Sequence, residues 1–180
     1  LTIYPSEFVG VMGPSGCGKT TFLLALNGYL PPQSGRSLIN GQSLYDNYDA
    51  FRSCIGYVPQ DDVLHAELTV YEALYYTAKL RLPEDTTRRE MDVRIDAVLT
   101  QLGLIDKSRN LDVRNVLIGS AEKKGISGGQ RKRLNLAMEL LTDPSLLFLD
   151  EPTSGLSSED TVIVMSVLRQ LSDEGKTIIL

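Results

Sequence analysis

The sequence predicts an α/β fold: a mainly parallel sheet covered by helices on both faces, with a helical subdomain inserted into it. Three observations carry that expectation. Short apolar runs such as Glu7–Met12 and Leu146–Leu149 read as strands buried on both faces. Segments with helical spacing alternate with them, which implies parallel strands joined by crossover helices. Residues 68–119 change character, with two helix-start signals in succession.

In chain order, Glu7–Met12 runs into a glycine-rich loop. Thr20–Asn27 follows, with Phe22, Leu23 and Leu26 at helical spacing and Gly28 as its stop. Pro31-Pro32-Gln33-Ser34-Gly35 is a turn, and Arg36–Asn40 and Cys54–Val58 read as strands. Thr69 and Glu72 form a capping-box pattern that opens a helix to about Arg81. Thr87 and Glu90 repeat it for a helix to about Leu102, closed by Gly103. Ser127 and Gln130 make a third box, starting a helix with Leu134, Ala137, Met138 and Leu141 on one face. Leu146–Leu149 is the next strand. Ser158–Ser172 is a helix expected to turn Val162, Met165, Leu168 and Leu171 to the core, and Thr177–Leu180 begins another strand. On this division residues 1–67 and 120–180 form the core and 68–119 the helical subdomain.

A chain of 180 residues is long enough for one domain with a sizeable core. The net charge of −5 argues against non-specific nucleic-acid binding, which needs many cationic contacts to phosphates. No apolar stretch is long enough to span a bilayer, and no secretory leader opens the chain. Two cysteines, Cys17 and Cys54, are too few for a disulfide framework and fit a reducing, intracellular setting. The chain opens without Met and stops inside the apolar run Ile178–Leu180, so it reads as a piece of a longer protein.

Gly13-Pro14-Ser15-Gly16-Cys17-Gly18-Lys19-Thr20 has the spacing of a phosphate-cradling loop. Its glycines let backbone N–H groups wrap an anion, and the following helix adds its positive end. Lys19 would place its charge on the β- and γ-phosphates of a nucleotide, and the Thr20 hydroxyl would ligate Mg²⁺. Thr21, next on the helix, is a further nucleotide contact. Cys17 is expected to contribute only its backbone N–H.

Asp150 and Glu151 end the apolar strand Leu146–Leu149, where ligand sites of parallel sheets lie. Asp150 is placed to hold the metal and Glu151 to polarise an attacking water. A solvated acidic turn would explain one acid, but two after such a strand, in a chain with a phosphate loop, point to function. Ser127-Gly128-Gly129, with Gln130, forms a second anion-binding element at a helix N-terminus. The bland reading of Arg131, Lys132 and Arg133, that they point into solvent or pair with acids of the helical subdomain, is preferred for these three. Two phosphate elements far apart in one chain fit a head-to-tail pair, each site taking the lysine loop from one copy and the Ser-Gly-Gly element from the other.

Together these stretches resemble an ABC-type ATPase domain, a P-loop NTPase with a RecA-like core. Gly13–Thr20 resembles Walker A, Ile126–Gln130 the ABC signature, and Leu146–Glu151 Walker B with its catalytic glutamate. Gln60, in Tyr57-Val58-Pro59-Gln60-Asp61-Asp62, matches the Q-loop glutamine, which the resemblance implies contacts Mg²⁺ and senses the transmembrane partner. Ser154-Gly155-Leu156-Ser157 falls at the D-loop, with Ser157 where Asp is usual. The resemblance is finest to the G subfamily of ABC transporters, through Ile55–Asp62, Leu68–Pro83 and Gly125–Leu156, although Gln130 replaces its more typical Glu. It implies ATP and Mg²⁺ as cofactors, Glu151, Lys19 and Gln60 as catalytic residues, and Thr20, Gln60 and Asp150 around the metal. It also implies a second ATPase domain and a transmembrane domain of the same full-length chain as partners, export as the direction, and a place at the cytoplasmic face of a membrane. The family's switch histidine is expected beyond Leu180 and its adenine-stacking aromatic before Leu1; neither His65 nor Tyr4 fits those roles. Soluble ABC ATPases of DNA repair carry long coiled coils or zinc modules between Q-loop and signature, and this interval has no heptads and no zinc-spaced cysteines. Translation-factor ABC proteins carry two such domains.

Cys17 lies inside the loop that ATP would cover. Its alkylation is expected to be fast without nucleotide and slower with ATP; equal labelling rates under the two conditions would count against nucleotide binding at this loop.

Overall fold

The computed structural model of the chain describes residues 1–120 and 125–180. In order, the elements are β1 (Phe8–Val9), α1 (Lys19–Leu26), β2 (Leu38–Ile39), β3 (Gln42–Ser43), α2 (Tyr48–Phe51), β4 (Ile55–Val58), α3 (Val70–Arg81) and α4 (Arg88–Gln101). There follow β5 (Ile105–Asp106), β6 (Leu111–Asp112), α5 (Gly128–Leu140), β7 (Leu146–Leu149), α6 (Ser158–Asp173) and β8 (Thr177–Ile179). Four strands form one parallel sheet in the order β1-β8-β7-β4. The pairs β2–β3 and β5–β6 are small antiparallel hairpins.

The pleat explains why the strands are apolar throughout. Leu147 and Leu149 of β7 face one buried cluster, and Phe148 between them faces another. Ile178 and Ile179 of β8 divide the same way, as do Val58 and Ile55 of β4. The smaller cluster adds Leu23 of α1 and Leu44. The larger one adds residues of α3, α4, α5 and α6, among them Leu74, Leu99, Leu134 and Leu168. One continuous core therefore joins the sheet to α3 and α4.

All three expected capping boxes are present. Thr69, Thr87 and Ser127 each accept from the backbone N–H three residues on, while Glu72, Glu90 and Gln130 reach back to the cap backbone. α5 is buried almost all round, with Arg133, Leu134, Asn135, Leu136 and Ala137 buried in succession. A helix of that kind is the central one of its layer.

Several details differ from the sequence expectation. The first strand is only Phe8–Val9, although Val11 N–H still donates to the Leu180 carbonyl at 2.6 Å. The strand expected over Arg36–Asn40 shrinks to Leu38–Ile39, because Asn40 and Gly41 take positive φ (50° and 79°) and turn the chain into β3. Residues 68–119 hold the β5–β6 hairpin as well as two helices. In α6 the buried stripe is Val164, Val167, Leu168 and Leu171, while Val162 is 65% exposed. Two residues turn a helix by roughly 200°, so Val162 faces away from Val164. Among the described residues no helix is long and apolar enough to cross a membrane.

Replacing Thr87 by Ala removes a cap whose side chain serves both the Glu90 N–H and the Glu90 carboxylate. We expect a loss of about 1 kcal/mol in unfolding free energy, read by urea denaturation. An unchanged midpoint would mean that the box contributes nothing to the fold.

Candidate active site

Three loops leave the carboxyl ends of the sheet on one side, where α/β sheets bind ligands. The register sets two of them against each other. Val58 pairs with Leu149 in parallel, and Asp150 N–H donates to the Val58 carbonyl at 2.9 Å. Gln60 and Glu151 each lie two residues beyond that pair, and Gln60 Nε2 donates to Glu151 Oε2 at 3.0 Å. β1 leads to the third loop, Gly13–Gly18, which opens into α1.

That loop is built as its spacing predicts. Gly16 and Gly18 take φ of 76° and 95°, a left-handed conformation that suits glycine. A Cβ on Gly13 would stand 2.6 Å from Cys17 Sγ, so a larger residue there would have to displace the Cys17 side chain. α1 has no side-chain cap, and its first N–H groups remain available to an anion. Lys19 Nζ donates to the Gly13 and Pro14 carbonyls at 3.2 and 3.3 Å and stands 3.8 Å from Glu151 Oε1. Cys17, Thr20 and Thr21 are exposed.

A pocket lies between this loop and the β7 end, lined among others by Met12, Lys19, Asp150, Glu151, Ser154 and Leu180. Asp150 is only 3% exposed. Among the described residues no group donates a hydrogen bond to its carboxylate. The residue lines the pocket beside Lys19 and Glu151, where its carboxylate offers a hard anionic donor to a cation. Of the three expected metal ligands only Asp150 lines the pocket; the Thr20 hydroxyl, the Gln60 amide oxygen and the Asp150 carboxylate are hard oxygen donors, few in number, of the kind that suits Mg²⁺ completed by phosphate oxygens and water. Among the described residues no cluster of three or more His, Cys, Asp or Glu would hold a metal unaided. Glu151 has φ of 46°, left-handed and unfavourable for a glutamate by about 1 kcal/mol. The turn closes with Ser154 N–H on the Glu151 carbonyl at 3.0 Å. No motif in the sequence signals that backbone state.

Ser127, Gly128, Gly129 and Gln130 do not line this pocket. Ser127 Oγ accepts from Gln130 N–H at 3.2 Å, and Ser127 N–H donates to Gln130 Oε1 at 2.8 Å. Gly129 is packed tightly: a Cβ there would meet Asp160 Oδ1 at 2.0 Å. Ser157, at the end of the expected D-loop, caps α6 by accepting from Asp160 N–H and donates to Asp160 Oδ2. The end of that loop thus touches the Ser-Gly-Gly helix through Asp160.

The solvent reading of the three basic residues is overturned. Arg131 makes a bidentate pair with Asp62, at 2.8 and 3.0 Å, outside the helical segment. Lys132 donates to the Gln60 carbonyl. Arg133 is buried and donates to the carbonyls of Gly129, Leu102 and Gly103, with Asp160 at 3.6 Å. Burial pushes its guanidinium pKa down, and the Asp160 carboxylate opposes that shift. The hydrogen bonds from Arg131 hold the Asp62 carboxyl below the usual carboxylate range. That contribution is full at neutral pH and is lost only as pH falls through the lowered value.

The family described as "ABC transporter" matches residues 1–154. "ABC transporter G family member 28" of Arabidopsis thaliana is 45% identical over 97% of this chain and 15% of its own length. "ABC transporter ATP-binding/permease protein Rv1747" of Mycobacterium tuberculosis is 46% identical over 99% of this chain and 19% of its own. "ABC transporter G family member 14" of Arabidopsis thaliana is 43% identical over 98% and 26%. The chain spans about a quarter or less of the length of these relatives.

The contact at Gly129 predicts a coupled pair of substitutions. Alanine is favoured over glycine in a helix by about 1 kcal/mol, but here its Cβ displaces the Asp160 carboxylate. Gly129→Ala should therefore destabilise the parent protein and be neutral or stabilising in an Asp160→Ala background. Thermal unfolding of the four proteins measures the difference, and strictly additive effects would remove Asp160 as the cause.

Proposed function

The chain belongs to the ABC transporter family, and on that premise we propose that it binds and hydrolyses ATP to power a membrane transporter. The observation that carries this is the convergence of Lys19, Gln60, Asp150 and Glu151 at one end of the parallel sheet. The loop N–H groups and Lys19 hold the phosphates, with Gly13, Pro14, Ser15, Gly16, Cys17, Gly18, Thr20 and Thr21 around them. Thr20, Gln60 and Asp150 hold Mg²⁺, which supplies charge neutralisation of the phosphates when bound. Glu151 orients and deprotonates the attacking water, and Gln60, already hydrogen-bonded to it, fixes its orientation.

Ser127, Gly128, Gly129 and Gln130 serve the site of a second copy in a head-to-tail pair. The helix start that Ser127 caps, with its glycine N–H groups, has the form of an anion site and supports that arrangement. Residues 1–67 and 120–180 act as the core and 68–119 as a helical subdomain. The transmembrane partner belongs to the same full-length chain, which places the domain at the cytoplasmic face of the membrane. Export as the direction rests on the likeness to G-family chains.

Two substitutions in the full-length protein test the reading. Lys19→Ala should abolish tight nucleotide binding, measured by titration with a fluorescent ATP analogue. Glu151→Gln should keep binding, slow hydrolysis by about a hundredfold or more, and trap an ATP-bound pair of domains. Pairing that is indifferent to ATP would count against the shared site.

A further inference from the structure

We propose that Arg131 is a positioning residue that locks the Ser127–Gly129 element to the Gln60 loop of the same chain, so that the two move as one unit. The inference rests on the ATPase reading above and adds a residue that no part of that reading uses.

Arg131 spends nearly its whole donor set on three chain segments. Nε and Nη2 donate to Asp62, two residues beyond Gln60. Nη1 donates to the Gly119 and Ile118 carbonyls at 2.7 and 3.2 Å. Its own backbone N–H donates to the Ser127 carbonyl at 2.8 Å, within the first turn of α5. The chain before Ser127, residues 117–119 and residues 66–68, a few positions beyond Asp62, are already stacked. Ile126 N–H donates to the Leu117 and Ile118 carbonyls, Ile118 N–H to Leu68, and Gly119 N–H to Ala66. The stack is closed so tightly that a Cβ on Gly125 would fall 2.2 Å from the Ile118 carbonyl oxygen.

The fork of a guanidinium satisfies a carboxylate and two carbonyls at once, which an ammonium cannot do. Lys132 adds a second tie, from the next residue of α5 to the Gln60 carbonyl. Gln60 in turn holds Glu151. A displacement at Glu151 is thus handed through Gln60 and Asp62 to the helix end that carries Ser127. Arg131 contacts neither the Gly13–Thr20 loop nor Asp150 and Glu151, so its loss should alter turnover and pairing without altering how the Lys19 loop binds ATP.

Asp62→Asn keeps the side-chain shape, and Arg131→Lys keeps the charge but not the fork; the carbonyl contacts of Arg131 survive in the first, which protects folding. In the full-length protein each should lower kcat about tenfold, as expected for loss of one charge-assisted contact. ATP affinity should stay at the parent value in both, and any fall in melting temperature should be smaller for Asp62→Asn, which keeps the carbonyl contacts, than for Arg131→Lys. The double variant should be no slower than the slower single one, and in a Glu151→Gln background Asp62→Asn should weaken ATP-dependent pairing. Parent-like kcat in both single variants, additive losses, or a loss of kcat matched by weaker ATP binding would overturn the proposal. A Lys19→Ala control in the same protein tests the ATPase reading separately, so parent-like rates for Asp62→Asn would sink the clamp alone.

Discussion

The parallel register between β4 and β7 is the constraint on which the site depends. Val58 opposite Leu149 leaves both strands ending at the same level, and the chain beyond each has two residues in which to reach the other. A one-residue slip would turn Glu151 to the other face of the sheet and break the Gln60 contact. What prevents the slip is burial on both faces at once. Leu147 and Leu149 belong to one core and Phe148 to the other, so any shift drives residues into the wrong neighbours. The chemistry at the strand ends is held by packing several residues away from it.

α5 plays the corresponding role on the other side. It is buried nearly all round, and three consecutive cations, Arg131 at the end of its first turn and Lys132 and Arg133 just after, sit near the end where a helix dipole disfavours them. Each cation is engaged by a different segment: Arg131 by Asp62 and the 118–119 carbonyls, Lys132 by the Gln60 carbonyl, and Arg133 by the end of α4 and Asp160. The dipole penalty of a few tenths of a kcal/mol per residue is small beside such charge-assisted contacts. The helix that presents Ser127 is thereby fastened to both the loop after β4 and the start of α6.

Much of this was legible in the sequence because the signals are local. A capping box needs only residues i and i+3, and all three boxes formed. The glycine loop and the acids after β7 are likewise short patterns tied to strand ends. What escaped depends on distant partners or on backbone state. Arg133 looked like a solvent-facing cation because its acceptors are carbonyls at Leu102 and Gly103, which no side-chain pattern announces. The spacing of Val162, Met165, Leu168 and Leu171 points Val162 at the core, but packing against α5 and β8 selects the stripe through Val164 and Leu168 instead. The β5–β6 hairpin has two-residue strands, too short to show a period.

The left-handed backbone of Glu151 carries a consequence for how this position drifts. Residue 151 is filtered twice, once by what its side chain does and once by a φ of 46° that glycine and asparagine tolerate better than glutamate. The two filters favour different residues. In a lineage that no longer needed the carboxylate, backbone preference alone would govern the position, and glycine or asparagine would accumulate there while the fold grew slightly more stable. A copy of this domain carrying Gly or Asn at that turn would therefore bear the mark of an inactive site, readable from one residue and without any damage to the core.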